Sequence, residues 1–257
     1  MTISPHHLAE LGVIVVAAGR GERLGAGSPK AFALLDGKTL LEHAVRTVVR
    51  IGTPGQLVLV VPEDRAAEAL EIADEVIGSG VIESGALGAG ALWRLSVVPG
   101  GRERHESVRF GLAALQDSIG TVLVHDAARP LTPLDVFERV IAAVHETREA
   151  VVPAIPVADT LKRVDASGEV LETVDRATLV AAQTPQGFVR EQLAAAHETA
   201  QAREGASGDA AVPTDDAELV QRAGGTVRVV VGSPRSHKLT TAADLAMLQG
   251  LVDEGRP

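Results

Sequence analysis

The chain contains no cysteine and no tyrosine, a single tryptophan, and aromatic residues at only 2% of its length. Without cysteine there are no disulfides, no thiolate nucleophile and no Cys-ligated metal, which fits a reducing compartment and sets the expectation of a cytoplasmic protein. The scarcity of aromatics argues against the stacking platforms that hold single-stranded nucleic acid. No apolar run approaches the roughly 20 residues needed to span a bilayer, so no membrane association is expected. Met1-Thr2-Ile3-Ser4-Pro5-His6-His7 has no basic segment leading into an apolar core, which argues against a secretory signal, and His6-His7 has no third metal ligand nearby. Positive charge is not in excess either. The net charge is −10, so no overall field attracts DNA or RNA, and a polyanion must be met by a local cationic pocket.

What remains is a chain able to bury a large core. With 257 residues and 46% hydrophobic content it is too apolar for general disorder, and one domain over 1–257 is the expectation. Short β-branched runs at 12–17, 57–61, 95–98, 121–125, 150–153 and 226–231 predict strands. Segments 40–50, 65–77, 103–115, 133–147, 191–202, 215–223 and 241–251 predict helices. Thr132-Pro133 and Thr240-Thr241 read as helix starts, where a hydroxyl caps free N–H groups and proline suits the first position. Continuous apolar strands alternating with helices define an α/β class: a Rossmann-like, mostly parallel sheet with helices on both faces.

Two segments break this rhythm. Residues 78–90 carry five glycines and no period, and a mobile surface loop is expected there. Residues 156–176 alternate, turn at Asp165-Ala166-Ser167-Gly168 and return, which predicts an inserted β-hairpin arm. A lone hairpin is barely stable, so the arm must pack on something, and a second subunit is the expected partner.

Ligands of open α/β sheets bind at the carboxyl ends of the strands, where strand order reverses. The first such end is Val13-Ile14-Val15-Val16-Ala17-Ala18-Gly19-Arg20-Gly21-Glu22-Arg23-Leu24-Gly25, followed by Ser28-Pro29-Lys30. An apolar strand stops at a glycine turn whose backbone N–H groups can face an anion, and Arg23 and Lys30 add charge. The glycine spacing is one residue off the dinucleotide-binding fingerprint and no acid ends the next strand to clamp a ribose; a Walker A loop is absent as well. The second end, Val122-Leu123-Val124-His125-Asp126-Ala127-Ala128-Arg129-Pro130, offers Asp126 for a divalent cation or sugar hydroxyl and Arg129 for a phosphate. Read alone, Asp126 and Arg129 also fit a local ion pair that orders a loop, and His125 reads as a packed residue. The third end places Lys238 in Ser236-His237-Lys238-Leu239-Thr240, just before a helix start. A single lysine there would be a surface residue; three cations at three strand ends point to a polyphosphate.

These motifs, taken in order with Asp159-Thr160-Leu161-Lys162-Arg163, Thr173-Val174-Asp175-Arg176, Gln183-Thr184-Pro185-Gln186 and Thr214-Asp215-Asp216, resemble the 2-C-methyl-D-erythritol 4-phosphate cytidylyltransferases along nearly the whole chain. The resemblance implies transfer from CTP to methylerythritol phosphate with release of pyrophosphate, with Mg2+ as cofactor, in non-mevalonate isoprenoid biosynthesis. It implies that Arg23, Lys30 and Lys238 are the catalytic cations. By the same resemblance Ala17, Ala18, Gly19, Gly101 and Ser107 line the cytosine and ribose pocket. Asp126, Arg129, Thr184, Thr214 and Lys238 meet the second substrate or the metal-bound phosphates, with Asp126 the candidate metal ligand. Thr160 and Arg176 lie on an arm that, in this family, reaches the partner's site, so a homodimer is implied. The chain departs from the family pattern at Val16, where a proline is common, and at Arg102, where an acid is common. Segment 78–90 has no counterpart. A cytidylyltransferase for another polyol phosphate, such as ribitol 5-phosphate, shares the CTP half of the pattern. A nucleotide-binding regulatory or oxidoreductase domain and a catalytically silent dimer scaffold are the readings from other classes. No second catalytic module is visible in these residues, so a fused bifunctional enzyme is not expected.

Overall fold

The computed structural model describes residues 10–19, 29–79, 93–207 and 212–254. The strands are β1 (Glu10–Val16), β2 (Leu34–Leu35), β3 (Lys38–Thr39), β4 (Gly55–Val61), β5 (Trp93–Pro99), β6 (Ile119–Asp126), β7 (Ala150–Pro156), β8 (Leu161–Val164), β9 (Val170–Val174), β10 (Val180–Ala182), β11 (Gln186–Val189) and β12 (Val227–Val231). The α-helices are α1 (Leu40–Val48), α2 (Ala66–Ser79), α3 (Arg104–Ala113), α4 (Leu134–Thr147), α5 (Arg190–Ser207), α6 (Asp216–Arg222) and α7 (Ala242–Glu254).

Eight strands form one sheet in the order β10-β7-β11-β6-β1-β4-β5, and β12 also pairs with β7. Strands β6, β1, β4 and β5 run parallel, while β11 is antiparallel to both β6 and β7. The expected mostly parallel sheet is therefore present. Order reverses at β1, which has β4 on one side and β6 on the other, with Val16 in register with Asp126. A crevice opens at that point, because the two following connections leave in opposite directions.

Alternation along the strands sends side chains into two separate cores. Val13 and Val15 of β1 and Leu57 and Leu59 of β4 pack with α1, α2 and α4 on one face. Ile14, Val58 and Val60 pack with α3, α5 and α6 on the other. A smaller cluster joins Leu35, Leu40, Leu239 and Leu248, tying the short β2–β3 hairpin and α7 to the loop that carries Lys238. Helix α3 lies close to the sheet at Gly111, where a Cβ would stand 2.6 Å from Ile14 Cγ2 and 3.0 Å from Val60 Cγ2.

Several sequence expectations are corrected. The strands β2, β3, β10 and β11 were absent from them, being two to four residues long and so too short to show a period. Thr132 does not cap α4: its hydroxyl donates to the Arg129 carbonyl at 3.0 Å, and Pro133 precedes the helix with no side-chain cap. Thr241 does start α7, accepting from the Asp244 N–H at 3.3 Å. Gly78, placed in a loop by its composition, belongs to α2, and most of the 78–90 segment lies outside the described residues. The arm is present as β8 and β9, paired, among the described residues, only with each other around the Asp165–Gly168 turn. Among the described residues no helix is long and apolar enough to cross a membrane.

The tight α3–β1 contact yields a prediction. Gly111→Ala forces a methyl into Ile14 and Val60 and is expected to lower stability by about 1–3 kcal/mol. It should show as a reduced urea midpoint with an unchanged denaturant slope.

Candidate active site

At the carboxyl ends of β1 and β6 lies a cleft of about 180 Å3. Its walls include Ala17, Ala18, Gly19, Lys30, Gly101, Ser107, Asp126 and Lys238, so eight sequence-predicted residues from four segments meet there. Backbone bonds set its floor: Ala17 N–H donates to Val60 O at 2.8 Å and Ala127 N–H to Val16 O at 3.1 Å. Gly100 sits so near Ala18 that an added Cβ would fall 2.2 Å from the Ala18 Cβ, so only glycine allows this wall to close.

Asp126 is the centre of the charge pattern. Its Oδ1 accepts from Arg104 Nε at 3.1 Å and Nη2 at 3.0 Å, and its Oδ2 accepts from Lys238 Nζ at 2.7 Å. Arg104 extends its third nitrogen to Asp216 Oδ2 at 2.6 Å, and Asp216 is fully buried. Burial would raise the Asp126 pKa, but the charges of Arg104 and Lys238 overcome it and hold the carboxyl well below the usual carboxylate range. Burial likewise opposes the charge on Arg104, and Asp216 and Asp126 raise its pKa above the ordinary value. Sequence reasoning did not single out Arg104. The only available signal was an arginine at the start of a predicted helix, near Gly101, and the acids beside it in sequence, Glu103 and Glu106, are not the ones it pairs with.

The loops that carry these groups are clamped by Gln183-Thr184-Pro185-Gln186, which joins β10 to β11. Gln183 exchanges two bonds with the Ser233 backbone, at 2.8 and 3.0 Å, and so anchors the loop leading to Lys238. Thr184 Oγ1 accepts from the Asp126 N–H at 3.1 Å and lies 3.0 Å from His125 Nδ1. Gln186 donates to Asp215 Oδ2 at 2.8 Å and accepts from the Ala217 N–H at 3.1 Å, which positions the start of α6 and with it Asp216. Lys30 Nζ donates to the Leu239 carbonyl at 2.6 Å, closing the circuit between the first and third strand ends.

Other predicted residues stand outside the cleft. Arg129 Nη1 donates to the Ser236 carbonyl at 2.7 Å and Nη2 to Ala182 O at 3.3 Å, so its guanidinium braces the Lys238 loop. Thr184 supports Asp126 from behind. Exposed Thr214 donates to Glu218 Oε2 at 2.9 Å. Thr160 and Arg176 are exposed at the base of the arm, where Arg176 donates to the Ala158 carbonyl. Arg23 lies outside the described residues. Ser107 Oγ accepts from the Gly101 N–H at 3.0 Å, and Glu106 accepts from the Arg102 and Glu103 N–H groups. These three amides are therefore committed to starting α3, and Arg102, itself exposed, also lines the cleft.

His125 is packed, as its apolar strand implied. It is 1% exposed, its ring tilts against Phe137 at 4.9 Å, and burial lowers its pKa to about 4. Its Nδ1 shares a proton with the Thr184 hydroxyl across 3.0 Å, so the ring is held between Phe137 and the segment that supports Asp126.

A mostly parallel sheet with two lysines converging at its switch point defines the class as an α/β nucleotidyltransferase. The family model for 2-C-methyl-D-erythritol 4-phosphate cytidylyltransferase (IspD) matches residues 11–254. The chain is 43% identical to the 2-C-methyl-D-erythritol 4-phosphate cytidylyltransferase of Rhodococcus opacus, over 94% of this chain and 95% of that one. It is 48% identical to the bifunctional enzyme IspD/IspF of Clavibacter michiganensis over 94% of its own length, and spans 54% of that longer protein. Among solved structures it resembles the 4-diphosphocytidyl-2C-methyl-D-erythritol synthase of Anaerococcus prevotii, with TM-score 0.74, 26% identity and coverage of 95% and 98%. The chain belongs to the 2-C-methyl-D-erythritol 4-phosphate cytidylyltransferase family.

Two measurements probe the site frame. Arg104→Met leaves the Asp216 carboxylate buried without its cation and is expected to cost about 3 kcal/mol in guanidinium unfolding, with Arg104→Lys recovering part. For His125, the folded pKa of about 4 lies below the unfolded value of about 6.5. The unfolded chain thus binds more protons between these values, and stability must fall as pH drops through that window. The loss approaches about 3 kcal/mol near pH 4. Asp126 contributes below the window, since its stabilisation is present above the unfolded carboxylate pKa and lost as pH falls further. Unfolding titrations of the wild type and His125→Gln should differ in slope between pH 6.5 and 4.

Proposed function

We propose that the cleft binds CTP and 2-C-methyl-D-erythritol 4-phosphate and forms 4-diphosphocytidyl-2-C-methyl-D-erythritol and pyrophosphate, within non-mevalonate isoprenoid biosynthesis in the cytoplasm. The observation that carries this reading is the convergence of Lys30 and Lys238 on one cleft at the switch point, in a chain of net charge −10. Family membership supports the choice of substrates.

A phosphate monoester oxygen attacks the α-phosphorus in line. One P–O bond forms and the bond to the bridging oxygen of the leaving pyrophosphate breaks. The attacking dianion is already nucleophilic, so no general base is required and catalysis rests on position and charge. The residues present agree with that demand. The chain has no cysteine, and His125 is buried and neutral near pH 7, whereas two lysines face the reacting region. Lys30 and Arg23 would hold the triphosphate and the charge building at the α-phosphorus. Lys238, oriented by Asp126, would meet the incoming phosphate. Ala17, Ala18, Gly19, Gly101 and Ser107 would shape the cytidine pocket, while Arg129, Thr184 and Thr214 would support or meet the second substrate.

Mg2+ fits this site as an ion that enters with the nucleotide. Among the described residues no group of three or more acids and histidines could cage it. Asp126 Oδ2 accepts only from Lys238 and retains a lone pair to offer. When bound, the ion neutralises phosphate charge.

The arm supports a homodimer. Val164, Val170 and Leu171 are 53–59% exposed on a hairpin that, among the described residues, pairs only with itself, and Thr160 and Arg176 at its base would complete the neighbouring subunit's site.

A pyrophosphate-release assay tests the assignment. CTP with methylerythritol phosphate should turn over, and other nucleoside triphosphates or ribitol 5-phosphate should not. Lys30→Ala should depress kcat by roughly 10²–10³-fold; near-normal turnover in the folded variant removes Lys30 from the mechanism.

A further inference from the structure

The connection after β6 lines the cleft at Ala127 and Ala128 and then, from Pro130 to Leu134, lines a second cavity of about 590 Å3. Its other walls come from the C-terminal half of α1, from Val76 and from Arg235. Four basic residues, His43, Arg46, Arg50 and Arg235, line it, and among the described residues no aspartate or glutamate does. That clustering of one sign runs against the acidic composition of the chain.

The charges are only partly compensated. Arg46 pairs with Glu42 at 2.9 Å along α1. Arg235 donates Nη2 to the Leu251 carbonyl at 3.1 Å, a neutral partner that leaves its charge unbalanced. Arg50 is exposed and, among the described residues, enters no ion pair. Offsetting the carbonyl end of α1 accounts for Arg46 and Arg50. It accounts neither for Arg235, which arrives from the loop after β12, nor for the space between them.

We propose that this cavity is a second anion site that binds a phosphate-bearing small molecule, a mono- or diphosphate ester. Guanidinium groups present paired N–H donors that match phosphate oxygens. The volume falls within the roughly 300–1,000 Å3 typical of small-molecule sites. Val49, Leu131 and Pro133 add an apolar wall for the organic part of the ester. The cavity is also mechanically connected to the cleft. Arg235 precedes Ser236, whose carbonyl is gripped by Arg129 at 2.7 Å, and Leu239 N–H donates to Ala128 O at 2.8 Å. A ligand that draws Arg235 toward Arg46 and Arg50 therefore biases the loop carrying Lys238.

Isothermal titration with inorganic diphosphate tests this without relying on turnover. The wild type is expected to bind two diphosphates per chain, one in the cleft and one in the cavity. Lys30→Ala/Lys238→Ala, which weakens the cleft, should retain one. Arg46→Gln/Arg50→Gln should lose the other, with its affinity reduced at least tenfold while CTP binding persists. Arg50→Glu, a change at an exposed position, provides the same readout should the double variant fold poorly. Retention of two diphosphates by the arginine variants, or of none by the lysine variant, overturns the proposal. A failure of the CTP assay would leave this result readable, because the cavity signal is independent of the cleft.

Discussion

The Asp126 carboxylate receives two cations from distant parts of the chain, Arg104 at the start of α3 and Lys238 after β12. An anion removed from water this far costs several kcal/mol unless it is paired. The structure pairs it twice and ties Arg104 onward to buried Asp216. Three loops are thereby locked into one arrangement at the sheet's switch point. Without the carboxylate, Arg104 and Lys238 would repel each other across the cleft; with it, both cations are held in fixed positions. Such preorganisation matters most in a reaction whose catalyst neutralises charge and moves few protons.

Around this centre the polar residues divide into those that face the cleft and those that hold others in place. Gln183, Thr184 and Gln186 each reach a different loop from one short segment, so a single irregular crossing between β10 and β11 sets the positions of Lys238, Asp126 and Asp216 together. Arg129 acts in the same manner through carbonyls at Ser236 and Ala182. Asp244 adds a further tie: it accepts from the Thr240 and Thr241 N–H groups at 2.8 and 2.7 Å, pinning the Lys238 loop to α7. The loop between β12 and α7 is thus braced from several sides. Arg235 lies on it, which gives the basic cavity beside α1 a physical route to the cleft.

Much of this was legible in the chain. The long apolar strands of β1, β4 and β6 announced themselves because a parallel sheet covered on both faces demands continuous β-branched runs. The carboxyl ends of β1 and β6, with that of β12, then indicated where Lys30, Asp126 and Lys238 would meet. The short strands β10 and β11 were not legible, since three or four residues carry no period and Gly187 interrupts the apolar pattern. Arg129 was read as a phosphate grip, and spacing alone could not show that its guanidinium also reaches two carbonyls, those of Ser236 and Ala182. Arg104 escaped notice for a related reason: its partners Asp126 and Asp216 lie far along the chain.

The sequence by itself determined the fold class, the alternation that builds two cores, and the chemical character of the strand ends, because these follow from local periodicity and residue type. Only the tertiary structure decided which charges touch. Ion pairs such as Arg104–Asp216 and Lys238–Asp126 join residues widely separated in sequence. Electrostatic energy depends on distance and burial, and neither is defined until the chain has folded.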